Sequence, residues 1–417
     1  MKNLSRFSIG VGDRFGQEGQ AQIAAAIAIQ AETGISVDLV WNKSKREHSI
    51  IGTSPEDQRR AADAAVKASQ YTGAYFVDAD HIGKETVEPF LDQCDFYTID
   101  VADFIGKKSG DAAIAAFIEK RRSLIGSLKI EGIPVALEIT EDFLRSVAER
   151  YLAAIAEAGV VFRKIEGHKG KGNFIAEVSM DETEIPQTPA ELLVILAALA
   201  DEGVDLKTIA PKFSGRFNKG VDYVGNVDAF LKEFEEDVRV AGYAAKNFGL
   251  DAHLKLSVHS GSDKFSLYPG IAHIARKTGS GFHLKTAGTT WLEELVGLAE
   301  AGGEGLEIAK AVYRQAYNRF DELVLPYASV VDINRAALPS PNTVDTWTAE
   351  IYAQSLRHVQ SNARFDSNVR QLLHVGYKVA AEMGGRYIKA LENCRKHVAR
   401  NVTENLLDRH FRPLLKG

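Results

Sequence analysis

The chain has 417 residues, 45% of them hydrophobic and 25% charged, and a formal net charge of -6. That is the composition of a globular protein with room for one large or two ordinary domains, and its net acidity argues against nucleic acid as the main partner. Two cysteines, Cys94 and Cys394, exclude a disulfide framework, and the longest apolar runs, Ile23–Ala31 and Leu192–Ala200, are too short to span a membrane. No apolar leader-type run follows Lys2 and Arg6, so a cytoplasmic location is expected.

In chain order, short β-type runs alternate with helical patterns. Phe7–Val11 precedes a helix at Gln20–Glu32, and Val37–Trp41 precedes one at Pro55–Gln70. Tyr75–Asp78 and Phe96–Asp100 follow, then a helix at Ala112–Gly126. Ile175–Ser179, Thr208–Phe213 and Leu254–His259 precede helices at Pro189–Asp201, Val227–Phe248 and Tyr268–Lys277, and Phe282–Thr286 closes the series. Eight such runs predict an α/β fold, a (β/α)8 TIM-type barrel. Residues 129–173 do not fit a simple unit. They hold a strand candidate, Val135–Ile139, a helix, Glu141–Ala158, a run Val161–Glu166 and a turn from Gly167 to Gly172, and so predict an inserted, lid-like segment. Beyond Trp291 the pattern is helical, at Gly305–Leu325, Thr348–Val359, Val369–Leu391 and Val402–Phe411. The expected division is a catalytic barrel over 1–300 and a helical C-terminal extension over 301–417.

Ionisable residues stand at nearly every expected strand end. They are Asp13 and Arg14, Lys43, Asp78, Asp80 and His81, Asp100, Glu177 and Asp181, Lys212, His259, and His283 with Lys285. Any one could be an ordinary loop charge, but a barrel gathers them into a ring. His81, His259 and His283 suit a divalent metal (Zn, Ni, Co or Mn) with an open fourth position. Most other histidines lack this setting; His374 is the exception, a helical histidine that could reach the mouth. Asp80 and Glu177 are the carboxylates suited to proton transfer. Lys43, Lys212, Lys255 and Lys285, with the turn at Ser260, would make the mouth receptive to a small anion such as a sugar acid or sugar phosphate, although Lys255 and Lys285 could instead be interior lysines that only pair with acids. The run Gly10-Val11-Gly12-Asp13-Arg14-Phe15-Gly16 has the wrong glycine spacing for a dinucleotide fingerprint. Neither nucleic acid nor membrane is expected as a partner, and self-association into a homo-oligomer is left open.

Several stretches carry a resemblance. They are Pro211 to Tyr223, Lys255 to Phe265, His283 to Trp291, Asn42-Lys43 through Arg46-Glu47-His48, Asp78-Ala79-Asp80-His81, and Leu373 to Lys378. Together they resemble the bacterial tagaturonate epimerase family over almost the whole chain. The resemblance implies a metal-dependent enzyme of hexuronate catabolism that interconverts D-tagaturonate and D-fructuronate. It also implies His81, His259 and His283 as metal ligands, with Asp80 and Glu177 as proton acceptor and donor. The inverted carbon lies β to the ketone, so simple enolisation does not acidify its C–H. Retro-aldol cleavage and re-addition, or two-base proton exchange, are the routes to weigh, with transient hydride abstraction third because the glycine run is a poor nucleotide motif. A metal-dependent aldolase of a sugar acid or sugar phosphate, and a non-catalytic sugar-acid-binding barrel, are the competing readings.

Overall fold

All eight expected runs form strands in the computed structural model, which describes residues 2–416 except Glu182, Glu184 and Ala287. They are β1 Phe7–Gly12, β2 Asp38–Ser44, β3 Tyr75–Ile82, β4 Phe96–Asp100, β5 Ile175–Ser179, β6 Thr208–Ala210, β7 Lys255–Val258 and β8 Phe282–Lys285. Each pairs in parallel with its neighbours, and β8 returns to β1, so the sheet closes into a barrel. β6 stops three residues short of the expected Phe213 because Pro211 has no N–H to give to a ladder. Sharp caps place the helices between strands. Ser44, Ser54 and Thr188 each form a reciprocal capping box, with Glu47, Asp57 and Glu191 as partners.

Residues 129–173 are built differently from the expectation. After a hairpin pairing Gly126–Leu128 with Leu137–Ile139, one helix runs unbroken from Glu141 to Lys169 and leads into β5. Val161–Glu166 is therefore helical, and the expected turn from Gly167 begins only at Gly170, after the helix ends at Lys169. Buried residues at Leu144, Val147, Tyr151, Ala154, Ala158, Val161 and Ile165 recur every three or four positions, and that period outweighs the local β-branched content. The hairpin turn, at Ile130 and Glu131, lines a cavity with Ser5, Arg6, Leu254 and Lys255, where the strands begin. It lies at the opposite end of the barrel from the mouth and does not cover it.

The C-terminal helices form a second apolar cluster around Trp291, Leu295, Tyr313, Tyr352, Leu372 and Val398. The helix following β8, Thr289–Ala301, is buried at every position from Thr289 to Ala299, because the extension covers the face a barrel helix usually shows to water. A Cβ on its Gly297 would lie 2.5 Å from the Val398 Cα, so the two helices meet at backbone distance. A polar knot ties the extension to the barrel. Asp263, in the loop after β7, is fully buried and meets Arg370, His358 and His410. Among the described residues no helix is long and apolar enough to cross a membrane.

Candidate active site

β3 supplies the first part of the site. Side chains alternate along a strand, so Asp78 and Asp80 share one face and His81 belongs to the other. The ladder to β4 shifts register between Ala79 and Ile82, and His81 takes a left-handed φ of 52°. This bulge turns His81 toward the mouth beside Asp80, an arrangement regular pleating forbids. The His81 and His259 rings meet edge to face, 5.1 Å apart.

Lys285 of β8 crosses the barrel to bind the carboxylates. Its Nζ donates to Asp80 Oδ1 at 2.7 Å, Asp78 Oδ2 at 3.2 Å and Thr98 Oγ1 at 2.5 Å, and lies 3.2 Å from Glu177 Oε1. Gly10 of β1 makes room for this reach: a Cβ there would sit 2.4 Å from Asn42 Oδ1 and 3.0 Å from Lys285 Cγ. Burial opposes charge on all of these groups, and mutual pairing decides which carry it. Against burial, Lys285 and then His81 hold Asp80 down to about 2. Lys285 and His259 likewise hold Glu177 well below the usual carboxylate range. For Asp78 burial wins over Lys285 and raises it to about 6. The ammonium itself is held charged by the three carboxylates despite burial.

Glu177 has no exposed surface. One oxygen accepts from His259 Nε2 at 2.7 Å and the other from Thr208 Oγ1 at 2.7 Å. His81 Nδ1 donates to Asp100 at 2.8 Å. Each histidine thus has one nitrogen oriented by a carboxylate, the outer-shell pattern of metal-ligating imidazoles. Among the described residues, the ligand atoms of His81, Asp181 and His259 converge, all within 4.8 Å of one another, with His259 Nδ1 3.0 Å from Asp181 Oδ1. Burial would lower both histidines, but Asp80, Asp100 and Asp181 raise His81 to about 10, and Asp181 and Glu177 raise His259 to about 9. The cluster is built to hold positive charge, and two imidazoles with a carboxylate suit a divalent cation of the zinc type.

Several expected site residues lie elsewhere. His283 pairs in register with Ser257, two residues before His259 and so one layer deeper, about 7 Å along the strand. Its Nδ1 is 2.9 Å from Ser8 Oγ, its ring stacks on Phe96, and burial lowers it to about 3. Asp181 takes the place expected of His283 in the cluster. Lys255 opens β7, at the far end of the barrel, where Nζ donates to the Ser5 and Arg6 carbonyls. Lys43 follows the inward-facing Asn42 and so faces outward; its Nζ holds the Arg14 carbonyl at 2.9 Å. Lys212 is half-buried and is held through its backbone N–H by Gln187. Ser260 sits at the mouth in a left-handed conformation, φ 47°, after β7.

Asp181 shares the strand face of Glu177 and Ser179, so two-residue alternation from Glu177 was the signal that could have assigned it. Asp100 and Thr98 follow the same logic on β4. His374 does reach the mouth from its helix: a Cβ on Gly288, just past β8, would lie 1.9 Å from its Nε2.

The tagaturonate epimerase family model matches residues 1–405. The tagaturonate/fructuronate epimerase of Thermotoga maritima is 28% identical over 419 residues, which cover 95% of this chain and 80% of that protein. Crystal structures of a fructuronate-tagaturonate epimerase from Cohnella laeviribosi share the fold at 24% identity. The glycerol complex has a TM-score of 0.79 over 98% of this chain and 81% of that one, and the native form has 0.77. The chain belongs to the tagaturonate epimerase family and is, as such, a carbohydrate epimerase.

Proposed function

We infer that the chain interconverts D-tagaturonate and D-fructuronate, in cytoplasmic hexuronate catabolism, with a divalent cation held by His81, Asp181 and His259. Bound there, the cation would act as a Lewis acid toward the substrate's ketone and adjacent hydroxyl oxygens. The remaining chemistry is assigned to the chain's own side chains. Asp80 is kept ionised by Lys285, so at rest it is ready to accept a hydroxyl proton. Removing that proton cleaves the bond between the α and inverted carbons; rotation of the aldehyde and re-addition then invert the centre. Asp78, raised by burial and joined to Asp80 through Lys285, is the group best suited to carry a proton in the cluster.

The observation that carries this reading is the enclosure of Glu177. Two-base exchange needs two opposed bases that both reach one carbon, yet both Glu177 oxygens are committed to His259, Lys285 and Thr208. Glu177 therefore acts through His259, as a positioning residue. The test is turnover of D-tagaturonate by the metal-loaded protein in deuterated water. The expected result is D-fructuronate with no label at the inverted carbon; efficient labelling there would sink the retro-aldol route. Irreversible escape of two smaller carbonyl fragments would identify an aldolase instead.

A further inference from the structure

One cation of the mouth is left without a full set of partners. Arg14 follows β1, is 7% exposed, and its Nε donates to Glu47 Oε1 at 2.9 Å. Its guanidinium carbon lies 4.0 Å from the centre of the Tyr377 ring. Its Nη1 is shielded from solvent and, among the described residues, has no hydrogen-bond partner. Buried guanidinium donors are nearly always satisfied, so an orphan at a strand's C-terminal end calls for a ligand.

The setting fixes what kind of ligand. Glu47 and the Tyr377 face hold the guanidinium plane, and Lys43 Nζ holds the Arg14 carbonyl from behind. The group is thereby pre-set in one orientation, which suits a planar, forked acceptor. His374 lies close by, at Gly288 past β8, and burial together with the Arg14 and Lys219 cations keeps it well below its usual range. A neutral imidazole beside a guanidinium leaves the positive charge on Arg14. Glu47 takes the Nε donor, and Nη1 is the donor left for an acid.

We propose that Arg14 is the residue that binds the substrate's carboxylate, and so sets the preference for a uronate over a neutral ketose. This rests on the uronate reading above and goes beyond it by naming the recognising group, which is none of the lysines expected from the sequence. Lys43 is then a positioning residue acting through the Arg14 backbone. Tyr377, from the extension, completes the carboxylate site.

The test compares wild type, Arg14→Met and Arg14→Lys by calorimetric binding of D-tagaturonate and by steady-state kinetics. Loss of a charge-assisted fork is expected to raise Kd and KM about 30-fold in Arg14→Met, with kcat changed only a few-fold. Arg14→Lys keeps the charge but loses the fork, and is expected to fall between the two. An unchanged Kd in Arg14→Met, or a fall in kcat at constant Kd, overturns the proposal. If Arg14→Met does not give a native circular-dichroism spectrum, Arg14→Lys decides, and wild-type affinity there overturns it. A wild type that binds tagaturonate through Arg14 without turning it over defeats the epimerase reading alone. A wild type that does not bind it defeats both.

Discussion

Lys285 Nζ lies 2.7 Å from Asp80 Oδ1, and this contact sets the charge of the carboxylate assigned to the substrate's hydroxyl. Lys285 also serves Asp78 and Glu177, so its removal strands three buried acids. Lys285→Met is expected to lower kcat by ~10³-fold or more, because Asp80 loses the cation that does most to keep it ionised against burial. Breaking the buried pairs should also cost about 3–5 kcal/mol of stability, read from urea unfolding. A variant within tenfold of wild-type kcat would remove Lys285 from the mechanism.

Metal content separates the observed cluster from the one expected from sequence. Asp181→Asn and His81→Ala should bind metal far more weakly, on the order of 10- to 100-fold or worse, since each removes a ligand or its charge. His283→Asn should keep wild-type metal after desalting, as His283 lies one layer deeper, beside Ser8 and Phe96. Elemental analysis by mass spectrometry gives the answer; metal lost on changing His283 alone would restore the three-histidine site.

Acid should weaken the attachment of the extension. His410 Nδ1 donates to the Asn405 carbonyl at 2.9 Å, and Nε2 accepts the Asp263 N–H at 3.3 Å, so the ring is held neutral. Burial lowers it to about 4, against the pull of Asp263 and with the help of Arg409 and Arg370. The folded state then binds fewer protons than the unfolded one between about pH 4 and the usual 6.5. The stabilisation is full above 6.5 and is lost as the pH falls to 4, a contribution on the order of 3 kcal/mol. His410→Gln should flatten the pH dependence of the urea midpoint over that window; an unaltered slope would place the effect on another group.

Gly10→Ala tests the passage that lets Lys285 cross. The new methyl would meet Asn42 Oδ1 at 2.4 Å and Lys285 Cγ at 3.0 Å, and both must shift. Overpacking of this kind costs about 1–3 kcal/mol. The larger expected effect is on kcat, by ~100-fold, because displacement of about 1 Å at a catalytic group has that consequence. Wild-type kcat with only a lower unfolding midpoint would mean that Lys285 tolerates the shift.

The strands were legible because each is buried on both faces and reads as an apolar run closed by polar residues, as β5 does between Phe174 and Asp181. The ring of strand-end charges was legible for the same reason. Depth along a strand was not. His283 and His259 look alike in sequence, and only the pairing of His283 with Ser257 shows that they occupy different layers. Direction was lost at Lys43, where inward Asn42 forces its neighbour outward, and at His81, where a bulge reverses the alternation. The full length of the helix to Lys169 was not legible, because Val160, Val161 and Phe162 carry a strand-like composition that helical periodicity overrides. Arg14 was visible as a strand-end cation, but its unpaired nitrogen is a property of packing against Tyr377, more than 300 residues away in the chain.

The polar knot at Asp263 and the stacking of Tyr377 on Arg14 have a consequence for synthesis. Arg370, His374, Tyr377 and His410 leave the ribosome after the last barrel strand, so every strand can be in place before the mouth is finished. Until residue 410 emerges, Asp263 lacks one of its three partners from the extension, and until residue 377 emerges the Arg14 plane has nothing to rest on. A nascent barrel is therefore open-topped, and its mouth is finished last, by the segment that also locks the scaffold.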